Sequence, residues 1–313
     1  MEPITSAAMI IDAARKLSET KRRKHVAVAG AADAAVLEAV STAESIGICD
    51  VTLFGDEEKV KQIADAESID ISKLRVENYP NASDAAYNAV KMADGGDADV
   101  IMKGFIGTSA LLKTVLSRDF NLRGKNTMSH TAVLDIPGYH KLLGITDGGM
   151  VVKPDFDTKL QLIENGAMIF NALGFEKPKV ALSSAVDFVH ENFPSTILNQ
   201  RIMDYYDAGL LSDCEIFGPI TFEAATVKEI AIQRGIDNPV AGDTDLFVVD
   251  SIEECNIISK VLILFIRAVF AGVIVGAKVP VALVSRTDTA ENKKTSLSIA
   301  CLVADYLSGK RGE

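Results

Sequence analysis

A serine, an arginine and an acid fall together at Ser285-Arg286-Thr287-Asp288, directly after the apolar run Val279-Pro280-Val281-Ala282-Leu283-Val284. A hydroxyl, a guanidinium and free backbone N–H groups at a strand-to-helix junction can together hold an oxyanion. Arginine is electrostatically unfavourable at a helix start, because that end of the helix is already positive. Its presence there points to an anion, with an ion pair to Asp288 or Glu291 as the plain alternative. Ser285 by itself reads equally as a helix N-cap.

A second such junction is Lys103-Gly104-Phe105-Ile106-Gly107-Thr108-Ser109, between an apolar strand and the helical segment Ala110–Leu116. Its glycines let the backbone approach a ligand. Thr108 and Ser109 can cap the helix or donate to an anion, and Lys113, one turn in, adds positive charge. An ordinary capped loop is the alternative, and the GxxxxGK[ST] spacing of a Walker loop is absent. Asp243, Asp245 and Asp250 flank the strand Leu246-Phe247-Val248-Val249. Paired acids can bind metal or act as general bases, but more often they bond loop amides or cap the next helix. Asn256, Arg267, His130 and His140 are further polar candidates, and no Ser/His/Asp arrangement can be read from their spacing.

Short apolar runs alternate with amphipathic ones along the whole chain, and this positions the candidates. Strands are expected at 25–30, 51–55 and 97–104, with helices at 34–46, 57–64 and 81–93 between them; Asp56 is placed to cap the second helix. That βαβ rhythm predicts a mostly parallel sheet in three layers. Between His130 and Asp155 the pattern breaks into short strand candidates at 131–136, 142–146 and 150–152, separated by Pro137-Gly138 and Gly148-Gly149. Helix returns at 157–173 and 252–265, with strands at 179–183, 215–217, 246–250 and 272–276. Two three-layer α/β/α domains follow, the first from residues 1–130 plus 277–313 and the second from 131–276.

With 313 residues, 48% of them hydrophobic, the chain can bury a large core. A formal net charge of −11 with no basic block argues against nucleic acid as a partner. Cys49, Cys214, Cys255 and Cys301 are scattered, which suits a reducing cytoplasm and disfavours a structural zinc site. The run 261–285 contains Arg267, Lys278 and Pro280 and several glycines, so a helix, a turn and two buried strands explain it better than a membrane span. No basic-then-apolar leader is visible after Met1, so no signal peptide is expected.

Taken in order, Met102-Lys103-Gly104, Thr108-Ser109, Ser129-His130, Pro137-Gly138-Tyr139, Thr146-Asp147, Gly218-Pro219, Pro239-Val240-Ala241-Gly242-Asp243, Gly276-Ala277-Lys278 and Ser285-Arg286 resemble the phosphate acetyl/butyryltransferase family. The likeness runs from about Val26 onward, and the Gly-Ala-Lys-x-Pro-Val…Ser-Arg form looks closer to the butyryl branch. The resemblance implies a fold similar to the isocitrate and isopropylmalate dehydrogenases, with the active site in the interdomain cleft. It also implies reversible acyl transfer between coenzyme A and phosphate, usually by a homodimer, without a metal or any cofactor beyond coenzyme A as substrate.

On that resemblance Ser285 matches the active-site serine and Arg286 the phosphate-binding arginine. Lys113 falls near a second arginine of the acetyl enzymes, Arg267 near a third, and Thr108, Ser109 and Ser129 join the substrate-binding set. One departure stands out. Seven residues after the serine, where acetyl enzymes carry a catalytic aspartate, this chain has Asn292. An amide cannot serve as a general base, so the role passes to Asp288 or Glu291. A helix starting near Thr287 would put both acids on one face, and Asp288 is favoured for its place beside the serine. The alternatives are a non-catalytic coenzyme A- or nucleotide-binding protein, which the Asn292 departure keeps open, and a 2-hydroxy-acid dehydrogenase of similar fold.

Overall fold

In a computed structural model, residues 2–285 and 287–310 of the chain are described. The chain divides into two compact units: a flanking unit of Ala7–Lys125 and Ala271–Glu313, and a central unit of Met1–Ser6 and Asn126–Phe270. The boundaries fall about five residues before the expected 130/131 and 276/277. The first residues also belong with the central unit, where the Ile4 amide donates to the Leu173 carbonyl at 2.9 Å.

The flanking unit opens with α1 (Ala7–Thr20), β1 (Lys24–Ala29), α2 (Ala34–Ser45), β2 (Cys49–Gly55), α3 (Glu57–Glu67), β3 (Arg75–Asn78), α4 (Ala82–Asp94), β4 (Val100–Lys103) and α5 (Thr108–Val115). Side-chain caps set several helix starts: Asp33 accepts from the Val36 amide, Asp56 from Lys59 and Asn81 from Ser83. The expected strands and helices up to residue 104 are present, with ends shifted by up to three residues. α1 and β3 were not anticipated. β3 has no fully buried residue, so its apolar signal is weak.

The central unit contains β5 (Ser129–Asp135), β6 (Leu142–Thr146), α6 (Phe156–Ala172), β7 (Lys179–Ser183), α7 (Pro194–Asp207), β8 (Glu215–Ile220), α8 (Phe222–Thr226), α9 (Lys228–Gln233), β9 (Leu246–Val248) and α10 (Ile252–Phe265). Its strands run in the order β5-β6-β9-β7-β8, parallel apart from the β5–β6 pair. The short strand expected at 150–152 does not form. The Asp147 carboxylate instead takes the amides of Gly149 and Met150, which folds that segment into a turn.

The chain then re-enters the flanking unit through β10 (Val269–Val275), β11 (Val281–Ala282) and α11 (Ala290–Lys310). Its strand order is β3-β2-β1-β4-β11-β10, all parallel except β10 against β11. The apolar run before Ser285 was expected to be a buried strand, and only Val281–Ala282 of it is strand. Pro280 has no N–H to give a ladder, so pairing starts after it. Gly276, at φ 100, turns the chain between β10 and β11, a conformation that favours glycine.

Candidate active site

β4 and β11 are parallel neighbours, with Ala282 opposite Met102. The loop after Lys103 and the segment after Leu283 therefore leave the sheet of the flanking unit at the same, carboxyl end. In open α/β sheets that end is where ligands bind. The loop after β4 is also tied to the loop after β1: Gly104 N–H donates to the Ala29 carbonyl at 2.8 Å, and Phe105 N–H to that of Gly30 at 2.5 Å. A Cβ on Gly104 would lie 2.1 Å from the Gly30 oxygen, so the approach requires glycine.

At the start of α5 the N-cap is Gly107, which offers no side-chain acceptor. The expected capping by Thr108 or Ser109 does not occur, because both already lie inside the first turn. The Ala110 and Leu111 amides both turn to the Gly107 carbonyl at 3.1 Å, which leaves the Thr108 and Ser109 amides at the positive end of the helix dipole. Thr108 is half-buried and Ser109 exposed. Lys113 is exposed in the last turn, so its charge complements the negative end of the helix and does not reinforce the positive one.

Ser285 sits in a tight turn. Its amide donates to Asp288 Oδ2 at 2.6 Å, and its carbonyl accepts from the Asp288 amide at 3.2 Å. Its hydroxyl lies 3.2 Å from Thr287 Oγ1, and its own side chain is half-buried. Asp288 is only 7% exposed. The helix begins at Ala290, with Thr289 as its cap: Thr289 Oγ1 accepts the Asn292 amide at 3.2 Å. Ser285 is therefore not the cap, and Asp288 and Glu291 do not share a helix face. Asp288 fixes the serine turn, while Glu291 stands exposed in the first turn of α11. Arg286 lies outside the described residues.

Two of the expected site residues belong to the central unit. Ser129 is fully buried, and its hydroxyl accepts from Asn165 Nδ2 at 2.8 Å, tying β5 to α6. Arg267 is exposed and takes the left-handed conformation (φ 60) that ends α10, where the Ala268 amide reaches back to Leu262. The paired acids of the sequence are held by cations. Asp243 receives Lys141 (2.8 Å), His140 (2.7 Å) and Lys179, while Asp245 receives Lys141 at 2.6 Å and the Lys179 amide at 2.7 Å. Burial raises the Asp243 pKa and the hydrogen bonds from Lys141, Lys179 and His140 lower it, leaving it well below the carboxylate range. Ser251, not Asp250, caps α10.

Sequence reasoning missed a buried polar cluster in the central unit. Lys159 is fully buried and donates to Asp250 and to Asn199 Oδ1 at 2.7 Å. Burial depresses its pKa, against the pull of Asp250. Burial also raises the pKa of Asp147, offset in part by the amides of Gly149, Met150 and His130. A lysine in the middle of an amphipathic helix gives no signal of its burial. Among the described residues no group of three His, Cys, Asp or Glu side chains could hold a metal ion.

The family described as "Phosphate acetyl/butaryl transferase" matches residues 79–301. A phosphate butyryltransferase from Clostridium acetobutylicum is 36% identical over 286 residues, 91% of this chain and 95% of that protein. The crystal structure of a branched-chain phosphotransacylase from Enterococcus faecalis V583 superposes with a TM-score of 0.80 at 29% identity, covering 90% of this chain and 99% of that one. A 4-hydroxythreonine-4-phosphate dehydrogenase from Klebsiella pneumoniae, 14% identical, covers 90% of this chain and 99% of its own with a TM-score of 0.53. That last likeness is one of fold alone, and it bears out the dehydrogenase-like architecture.

Proposed function

The chain belongs to the phosphate acetyl/butyryltransferase family, and from that premise we propose that it transfers a short-chain acyl group reversibly between coenzyme A and inorganic phosphate. The reading rests most on the pairing of the Ser285 turn with the uncapped start of α5, on loops that leave neighbouring strands at one end of the sheet.

Phosphate oxygen attacks the thioester carbonyl, a tetrahedral oxyanion forms, and the C–S bond breaks to release the coenzyme A thiolate, which takes up a proton. In reverse, the thiol (ordinary pKa about 8.5) loses its proton to a base, attacks the acyl phosphate, and phosphate departs. Ser285 Oγ donates to the reacting carbonyl or phosphate, as oxyanion donors do. Arg286 and the first amides of α5, with the Thr108 and Ser109 hydroxyls, supply positive charge and donors for phosphate. Asp288 holds Ser285 in place. Glu291, open to solvent, is the carboxylate available to exchange protons. Coenzyme A enters as substrate, and no further cofactor is invoked.

A cytoplasmic setting is supported by four buried cysteines, none joined in a disulfide. No described helix is long and apolar enough to cross a membrane. A homodimer is supported by Ile257, Val261, Leu264 and Phe265, an exposed apolar stripe along α10.

Steady-state rates with acetyl-, propionyl-, butyryl- and isobutyryl-CoA, with and without phosphate, test the reaction and rank its substrates. Phosphate-dependent thiol release with at least one of them is expected. Coenzyme A binding without turnover on any would replace the enzyme with a binding protein of the same fold.

A further inference from the structure

Eight residues after Ser285, on the second turn of α11, Lys293 is 2% exposed. Its ammonium donates to the Asp288 carbonyl at 2.6 Å and reaches the Ser285 carbonyl at 3.4 Å. Lys24, Lys103, Lys141 and Lys159 are buried as well; Lys24, Lys141 and Lys159 each meet an aspartate (Asp305, Asp245 and Asp250), while Lys103 reaches the Gly104 carbonyl. Lys293 has no carboxylate within ion-pair distance among the described residues. Asp288, its nearest acid in sequence, turns its carboxylate to the Ser285 amide and offers Lys293 only its carbonyl.

Carbonyl oxygens satisfy the hydrogen bonds of an ammonium but leave its charge uncancelled. A buried charge without a counter-ion is costly, so it persists where something else repays it. This one is itself buried and lies directly against the backbone of the half-buried serine turn, so its field acts on that turn at close range.

Building on the acyl-transfer reading, we propose that Lys293 has two roles at this site. It fixes the Ser285–Asp288 turn through two carbonyls, and it supplies a standing positive charge whose counter-ion is the phosphate group of the substrate. It is a positioning residue, acting through the turn and at a distance on the anion.

Lys293→Gln keeps a donor for the carbonyls and removes the charge, while Lys293→Arg keeps the charge. The readouts are the KM for phosphate, kcat, and the rise in melting temperature caused by inorganic phosphate. Lys293→Gln is expected to raise the phosphate KM about tenfold or more, as loss of a charged partner does, and to abolish the thermal shift. Lys293→Arg is expected to keep both within about threefold. A Gln variant with wild-type phosphate KM and thermal shift would overturn the proposal, as would an Arg variant as impaired for phosphate as the Gln variant. If the Gln variant does not fold, the Arg variant decides alone: a phosphate KM raised about tenfold or more, or a lost thermal shift, would overturn the proposal. The thermal shift needs no turnover, so a wild-type protein that binds phosphate through Lys293 but transfers no acyl group would refute the reaction and leave this inference standing.

Discussion

At the scale of single residues, the question is which group moves the proton. Asn292 has no basic oxygen to offer, and its backbone N–H donates to Thr289 Oγ1 in the first turn of α11. The sequence offered both Asp288 and Glu291 and favoured Asp288 for its place beside the serine, but the structure gives them different surroundings. Asp288 is buried with an oxygen on the Ser285 amide, whereas Glu291 is exposed. A base works only when deprotonated, so its contribution to the rate is lost on the acid side of the pH–rate profile. Glu291→Gln should lower kcat by about a hundredfold and remove the acid limb of the pH–rate profile. Asp288→Asn should slow the enzyme through a displaced serine while keeping that limb. Retention of the limb in Glu291→Gln together with its loss in Asp288→Asn would return the base to Asp288.

At the scale of elements, two loops must meet at the end of a sheet, and a glycine allows it. Gly104→Ala should cost about 1–3 kcal/mol of stability through overpacking against the Gly30 carbonyl, and should lower kcat/KM by displacing the start of α5. Thermal unfolding and initial rates check both effects; an unchanged melting temperature would mean the two loops are free to move apart. Much of the strand-and-helix order of the first 104 residues was legible because caps mark where its helices start, as at Asp56 and Asn81. The exact start of α11 was not. Arg286, Thr287, Asp288 and Thr289 form a run in which several residues can cap, and the choice of Thr289 depends on Asp288 turning back to Ser285. The buried Lys159 and Lys293 were illegible for a related reason, since burial depends on neighbours distant in sequence.

At the scale of the whole molecule, the exposed stripe on α10 is a cost to the chain alone, with Phe265 80% and Ile257 65% exposed. Phe265→Asp should halve the mass measured by sedimentation, and wild-type protein that sediments as a monomer at micromolar concentration would contradict the dimer. The family and the order of motifs were readable from the sequence, as Gly276-Ala277-Lys278 and Ser285-Arg286 illustrate. Acyl chain length was not, because pocket size depends on side chains brought together from separate segments. The central claim is acyl transfer to phosphate at the Ser285 turn. Its most direct measurement is thiol release from butyryl-CoA with and without phosphate, in the wild type and in Ser285→Ala. The account predicts release that requires phosphate and falls about a hundredfold or more in the variant, as for loss of one oxyanion donor. Release that ignores phosphate, or survives the loss of the serine hydroxyl undiminished, would contradict it.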